Sequence, residues 1–600
     1  MRGLVLAAAT SSEASKEEFW SAYRSSTQPL AGLRVHDPFV GGGSTLVEAA
    51  RLGAAVSGGD VDPLAVDIVK HELRPASADE VRLWGGRLLD YLRTRFSALY
   101  PSDDAGRVPL HYFWLHEVTC PNCTHGGLLY KDLVLARDLG KNGGVVRNEP
   151  LVVFCPSDLS VHRLSRSDRT ELRHLGRRWV LREGSYKGSW YTCEGCGDRS
   201  QHRDLHTGIA PRRLVAVEST ATDSYRSFRS AQRVDTLALS AASRALADGV
   251  DLKLPTGRLS VDRFDNRPVS YGIEKAVDLF TERQLLVLGA ATKWVDSMDA
   301  DASVKRALGL AISNALATNN KLCGYATDYG RLAPLFSVRG YSLPALAVEL
   351  NPLHPDGGRG TLRRCIERVA RSAASDVRRY VWSQKKKCVE PTQMDFRKAN
   401  KVTSDIRVAG AADQGSGPET DLCIFDPPYF DFIAYSELSE FYRSWRDSPS
   451  TIQNSLLPRG DDPAEQFGLD LAACIRVAAK RLRAGRPIAF TYHSSNPEAW
   501  RAIGIALDDA KLAVTGLWPV RSDGHMGHHS QPGNCEWDLV VCCRRVTETT
   551  QVPFRASVAA WVKHLAPLQV GESDKVNMSL AVSMACTRYA VLTMGETVTQ

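Results

Sequence analysis

DLCIFDPPYF, residues 421–430, places an acid, two prolines and two aromatic residues directly after an apolar run. Proline has no N–H to give to a sheet ladder. A strand here must therefore end at Asp426 and hold the residues that follow stiffly outside the sheet. An acid and a pair of rings at the carboxyl edge of a strand is where an open α/β sheet keeps its chemistry. Downstream, RPIAFTYHS (486–494) reads as a strand. NPEAWRAIGIALDDAKL reads as a helix with Asn496 as its cap and Pro497 in its first position. LAVTGLWPV and CEWDLVVCCRRV read as two closing strands. DFIAYSELSEFYRSW (431–445) reads as a loop running into a helix, where Tyr435 and Ser436 either face a pocket or begin the helix.

A second segment follows the same logic. In LRVHDPFVGGGSTLVEAARLGAAVSGGDVDP, residues 33–63, LRVH is a short strand ending at Asp37. Gly41, Gly42 and Gly43 permit positive φ and close approach of a ligand. Ser44 or Thr45 caps the next helix, and Gly53 ends it. AAVSGG is a second strand with Asp60 at its end. An acid roughly 20 residues beyond a glycine loop is the geometry that puts a carboxylate on ribose hydroxyls. The G-x-G-x-x-G spacing of dinucleotide enzymes is absent, as is the G-K-[ST] of a phosphate loop. The segment therefore points to a ligand with a ribose and no pyrophosphate. The alternative is a glycine turn in an ordinary α/β domain.

These two loops lie at residues 37–45 and 426–430 of a 600-residue chain, so whole domains are inserted between them. The 43% hydrophobic and 24% charged content is that of a globular protein. No apolar run approaches the ~20 residues a membrane helix needs, and MRGLVLAAATSSEAS is a poor secretory signal. Fourteen cysteines are too dilute for a disulfide scaffold, which implies a reducing, cytoplasmic setting. A net charge of +7 permits nucleic acid without requiring it.

The insertion carries Cys120-Pro-Asn-Cys123 and Cys193-Glu-Gly-Cys196. Two CxxC knuckles, each followed by a small or turn-forming residue, close a tetrahedral zinc site. Binding would supply roughly 10–16 kcal/mol of apparent folding energy to a segment with little core of its own. Cys155, in VVFCPSD, reads as a buried thiol, and His125 and His202 are alternative ligands. YGIEKAVDLFTERQLLVLGAATKWVDSM and VKRALGLAISNALATNN have apolar positions at helical spacing, for which core packing is the default. Two basic runs, RSDRTELRHLGRRWVLR (166–182) and RRYVWSQKKKC (378–388), mix cations with aromatics. Each suits phosphate contact with stacking, or a solvated face.

Together the two loops resemble those of the S-adenosylmethionine-dependent amino-methyltransferases, whose loops read DPF-x-G-x-G-[ST]-[ST] and [DNS]-PP-[YFW]. The resemblance implies that Asp37, Pro38, Phe39, Gly41, Gly42, Gly43 and Thr45 surround the methionine part of the cofactor. It implies that Asp60 holds the ribose and Asp62 approaches the adenine. It makes Asp426, Pro427, Pro428, Tyr429 and Phe430 the catalytic loop. The Asp426 carboxylate and the Pro427 carbonyl would accept the two N–H groups of an exocyclic amine, and the prolines would fix that carbonyl's direction. Tyr429 and Phe430 would stack on a flipped base.

Further stretches narrow the resemblance: VEAARLG, GGDVDPLAVDIVKHEL, the two knuckles, LFTERQLLVLG, NALATNNKLC and DPPYFDFIAYSELSEFYRSW. They resemble the large prokaryotic adenine-specific DNA methylases with an internal zinc ribbon, often associated with restriction or phage defence. That implies an α/β fold: a Rossmann-like methyltransferase sheet with an antiparallel final hairpin, interrupted by a large insertion containing a zinc ribbon and helices. It implies S-adenosylmethionine and Zn2+ as cofactors and DNA as partner, without a membrane. Other subunits of a defence or restriction system are further partners, one of them supplying the additional N-terminal segment those methylases carry. The expected domains are a methyltransferase N-terminal half (1–100), a zinc-ribbon insertion (101–215), a mainly helical insertion for target recognition (216–345), a methyltransferase C-terminal half (346–548) and a helical tail (549–600). The implied reaction is methylation of adenine N6. The alternatives are N4-cytosine or RNA amino-methylation, and a non-catalytic DNA-binding subunit.

Overall fold

The computed structural model describes residues 1–10, 13–24, 28–137, 151–164, 170–205, 211–220, 226–259, 265–327, 330–337, 340–355, 357–374, 378–383, 388–393, 402–430, 435–446, 456–521, 535–545 and 570–593. The chain divides into two compact units. One comprises Met1–Pro75, Ser375–Ser436 and Ile452–Gln600, the other Ala76–Ala374 and Glu437–Thr451.

The first unit is built on a seven-stranded mixed sheet. Its strands are β1 (Arg34–Asp37), β2 (Ala55–Asp60), β3 (Ser404–Val408), β4 (Leu422–Phe425), β5 (Ile488–Tyr492), β6 (Leu512–Arg521) and β7 (Trp537–Arg545). They lie in the order β3-β2-β1-β4-β5-β7-β6. β1 to β5 run parallel, while β7 runs antiparallel to both β5 and β6. The strand order reverses between β1 and β4, and such a reversal leaves a crevice outside the carboxyl ends of the two strands. Every residue of β4 is buried. Cys423 and Phe425 enter one core with Phe467, Phe490 and Trp500, and Leu422 and Ile424 enter another with Leu46, Val66 and Val69. A parallel strand covered on both faces has to be apolar throughout, and LCIF is.

Local chemistry sets the helix ends. Asn496 accepts the Glu498 N–H ahead of Pro497–Asp509, and Asp62 accepts the Leu64 N–H ahead of Pro63–Leu73, both with proline at the start. The Ser44 or Thr45 cap is not used. The helix Ser44–Arg51 begins after Gly43, whose φ is +77°, without a side-chain cap.

In the second unit, strands Arg226–Ser230, Arg212–Thr220, Val108–Thr119 and Ala347–Leu350 form a sheet in that order, with Gly126–Leu129 paired to Val108–Thr119. The TERQ stretch opens the helix Glu282–Ser297 with a capping box between Thr281 and Gln284. Arg283 is buried and grips Glu349 with two bonds of 2.9 Å. The knuckle-bearing segment was expected to have little core. It has one: Phe113, Leu133, Leu135, Val152, Phe154, Leu172 and Val215 form a continuous apolar cluster. A metal is therefore needed only locally, beside the small cluster of Val118, Leu129 and Tyr191.

The first basic run falls on the hairpin Glu171–His174 and Arg177–Val180, where Glu171 pairs with Arg173 and Arg178. Its residues 166–169 lie outside the described residues. The second run begins the strand Arg378–Ser383, whose side chains, like residues 384–387, lie outside the described residues. So do residues 431–434, the side chains of Tyr435, Ser436 and His202, and residues 549–569 and 594–600 of the C-terminal tail. No helix among the described residues is long and apolar enough to cross a membrane.

Candidate active site and metal centre

Because β1, β2, β4 and β5 are parallel, the residues that end them share one edge of the sheet: Asp37, Asp60, Asp426 and His493. β7 begins at that edge, with Leu539 opposite Tyr492, which brings Asp538 there too.

Asp37 is 2% exposed. Its Oδ1 accepts the Phe39 N–H at 2.9 Å, and Thr45 bonds to it as well. Burial outweighs these bonds and, with the charges of Asp426 and Asp60, pushes its carboxyl up to about 7. Asp60 pins the glycine loop. Its Oδ2 accepts the Gly41 N–H and its Oδ1 the Asp62 N–H, each at 3.0 Å. Burial raises this carboxyl too. Gly43 has to be glycine, since its φ is +77° and a Cβ would lie 2.6 Å from Val69 Cγ2. Gly42 faces open space. Buried Gln414 donates to the carbonyls of Pro38 at 3.1 Å and Ala409 at 3.2 Å, which holds the loop from below.

Asp426 is open to solvent on one side. Its Oδ1 accepts from Thr491 Oγ1 at 2.9 Å and from the Tyr429 hydroxyl at 3.3 Å. Among the described residues nothing donates to Oδ2. Crowding by protein, more than the bond from Thr491 or the charge of Asp538, pushes the carboxyl up to about 6. His493 Nδ1 lies 2.6 Å from Asp538 Oδ1 and 3.4 Å from the Tyr429 hydroxyl. With Nδ1–H donated to Asp538, the Tyr429 hydroxyl is directed to Asp426. The Tyr429 ring stacks on Tyr492 at 4.9 Å, and Phe430 meets Phe467 edge-on at 5.6 Å. Both rings are thus half-buried and border the core of the unit. Pro427 is buried.

Sequence reasoning missed Thr491, His493, Asp538 and Gln414. The signal for His493 was present. FTYHS ends a parallel strand in polar and aromatic residues, as DPPY does.

In the second unit Cys120, Cys123, Cys193 and Cys196 meet, with all four sulfurs within 4.8 Å of one another. Cys120 Sγ lies 3.8 Å from Cys196 Sγ, and Cys123 Sγ 3.7 Å from Cys193 Sγ. A tetrahedron with Zn–S bonds of about 2.3 Å has edges of about 3.8 Å, so the cluster fits a zinc ion without rearrangement. Burial opposes ionisation of Cys193, but the N–H groups of Cys196 and Gly195 and the adjoining thiols bring it down to about 6. His125 is not among the gathered donors.

The chain matches no family model, no curated protein and no solved structure.

Proposed function

We propose that the first unit is a Rossmann-like methyltransferase that transfers a methyl group from S-adenosylmethionine to the exocyclic amine of a flipped DNA base. The base is adenine, methylated at N6, in a restriction or phage-defence setting. The observation that carries this reading is the gathering of Asp37, Asp60 and Asp426 at the carboxyl edge where the strand order reverses. Two of these acids, Asp37 and Asp60, are held with raised carboxyls, and Asp426 is raised beside them. Such an edge suits a cationic ligand whose charge they offset.

Bound S-adenosylmethionine supplies an electrophilic methyl group. The chain's residues do the rest. The carboxylate of Asp60, already fixed by two backbone N–H groups, accepts from the ribose hydroxyls. Asp426 Oδ1 is held by Thr491 and Tyr429, and Oδ2 accepts one amine N–H. The Pro427 carbonyl accepts the other. Together they favour a pyramidal nitrogen whose lone pair is available, a preorganised arrangement that costs nothing at the moment of reaction. The proton lost by the methylated nitrogen goes to Asp426 and, at its open side, to water. Flipping costs a few kcal/mol, and stacking on a half-buried aromatic returns about 1–3 kcal/mol per base. The second unit, with its zinc knuckles, supplies target recognition.

The test separates binding from chemistry. Asp426→Ala should abolish methyl transfer while cofactor affinity, by calorimetry, stays within a few-fold. Loss of affinity together with transfer would show that the loop was misassigned. No binding heat from folded, zinc-loaded wild type would favour the non-catalytic subunit.

A further inference from the structure

Among the described residues of the second unit, one backbone turn occurs three times. In both cysteine knuckles the carbonyl of the first cysteine accepts the N–H of the residue after the second: Thr124 to Cys120 and Gly197 to Cys193, both at 2.9 Å. The first cysteine's own N–H donates one residue further on, to His125 or Asp198, both at 2.9 Å. Thr124 and Gly197 take positive φ, +59° and +75°. Cys155-Pro-Ser-Asp158 repeats every part of this. Leu159 N–H meets the Cys155 carbonyl at 2.8 Å, Cys155 N–H meets the Ser160 carbonyl at 2.9 Å, and Leu159 has φ +59°. A leucine at positive φ is strained, and such strain persists only where surrounding structure over-determines it. The turn sets the Asp158 carboxylate where the second thiolate stands in the other two.

Donors converge on this third turn. Cys155 Sγ, a carboxylate oxygen of Asp158 and a ring nitrogen of His174 all lie within 4.8 Å of one another. His174 Nε2 is 2.8 Å from Asp158 Oδ2. The Ser160 hydroxyl is 2.6 Å from Asp158 Oδ1, 2.7 Å from His162 Nε2 and 3.3 Å from His174 Nε2. The two imidazole rings are 4.4 Å apart. The ligands come from two hairpins, Leu151–Phe154 with Val161–Leu164, and Glu171–His174 with Arg177–Val180.

We propose that Cys155, Asp158 and His174 form a second metal site, for a divalent transition ion of the zinc class, which clamps these two hairpins together, with His162 hydrogen-bonded beside it through Ser160. One thiolate, one carboxylate and one imidazole, with water in the fourth position, are a borderline-soft donor set; magnesium and calcium prefer oxygen alone. The clamp steadies the arginine-bearing hairpin of the first basic run. The inference is independent of the methyltransferase reading.

Metal content of the full-length protein, freed of excess ion and measured by inductively coupled plasma mass spectrometry, tests it. The wild type should carry two zinc ions per chain, and His174→Ala and Asp158→Ala one each, with far-UV circular dichroism unchanged. Cys193→Ser should lose the other ion and keep this one. One ion per chain in the wild type, or two retained in His174→Ala, overturns the site. Should both variants fail to fold, cobalt titration of the metal-free wild type decides. Visible d–d bands growing through a second equivalent support the site, and saturation at one equivalent overturns it.

Discussion

The carboxyl of Asp426 is open to solvent yet crowded by protein, and that crowding, more than any single neighbour, holds its proton. A group pushed up to about 6 accepts an amine N–H only above that pH. Methyl transfer should therefore rise with pH through about 6 and level off roughly one unit higher. Asp538 raises this carboxyl and His493 lowers it. Asp538→Asn should accordingly move the acid limb of the pH–rate profile down, and His493→Ala should move it up. An unchanged limb in both would detach the pair from the chemistry. Asp37 and Asp426 were legible from sequence because each ends a short strand and precedes proline, and Asp60 because it ends the strand about 20 residues beyond the glycine loop. Thr491 and Asp538 were not. Their roles arise from strands that pair only in the fold, and nothing local marks them.

At the scale of elements, the C-terminal helix Glu572–Thr593 secures the edge from outside through two buried polar residues. Asp574 accepts the N–H groups of Glu536 and Trp537 at 2.8 and 3.0 Å. Asn577 accepts the Ser494 N–H at 3.0 Å and the Trp500 Nε1–H at 3.3 Å, and donates to the Trp537 carbonyl at 3.0 Å. These bonds fix the chain that leaves β5 just beyond His493 and the chain that enters β7 just before Asp538. Asn577→Ala should cost roughly 1–3 kcal/mol for each buried group left unpaired, read as a lower denaturant midpoint. A midpoint equal to wild type would mean the helix does not grip the sheet. Sequence patterning found six of the seven strands of this sheet and the Asn496 cap but not β3, and the antiparallel final hairpin was what the resemblance implied. It read this helix only as a tail, because inward residues that are Asp and Asn look like a solvent face. Cys155 is the buried thiol its sequence suggests, and the turn it opens is hard to see there because it ends in Asp158 rather than a second cysteine.

Across the whole molecule, the cores are separate: two line the sheet of the first unit, and the apolar clusters of the second unit are its own. Cys193→Ser should therefore act locally. Hydrogen exchange should quicken in peptides spanning Val118–Leu129 and Tyr186–Gln201 and stay unchanged in those covering β1 and β5. Uniform acceleration would contradict separate cores. Alternating strands and helices made the α/β character legible around the two loops. The insertion's own core escaped notice because it is assembled from short strands scattered between Leu110 and Leu350. The central claim, that the acid-lined edge passes a methyl group to a base amine, meets its most direct test in product analysis. Full-length protein is incubated with methyl-labelled S-adenosylmethionine and unmethylated DNA, and the DNA is digested to nucleosides. Label in N6-methyldeoxyadenosine, absent with Asp426→Ala, is the expected result. DNA left unlabelled by folded protein shown to bind the cofactor, or label on a ring carbon, would contradict it.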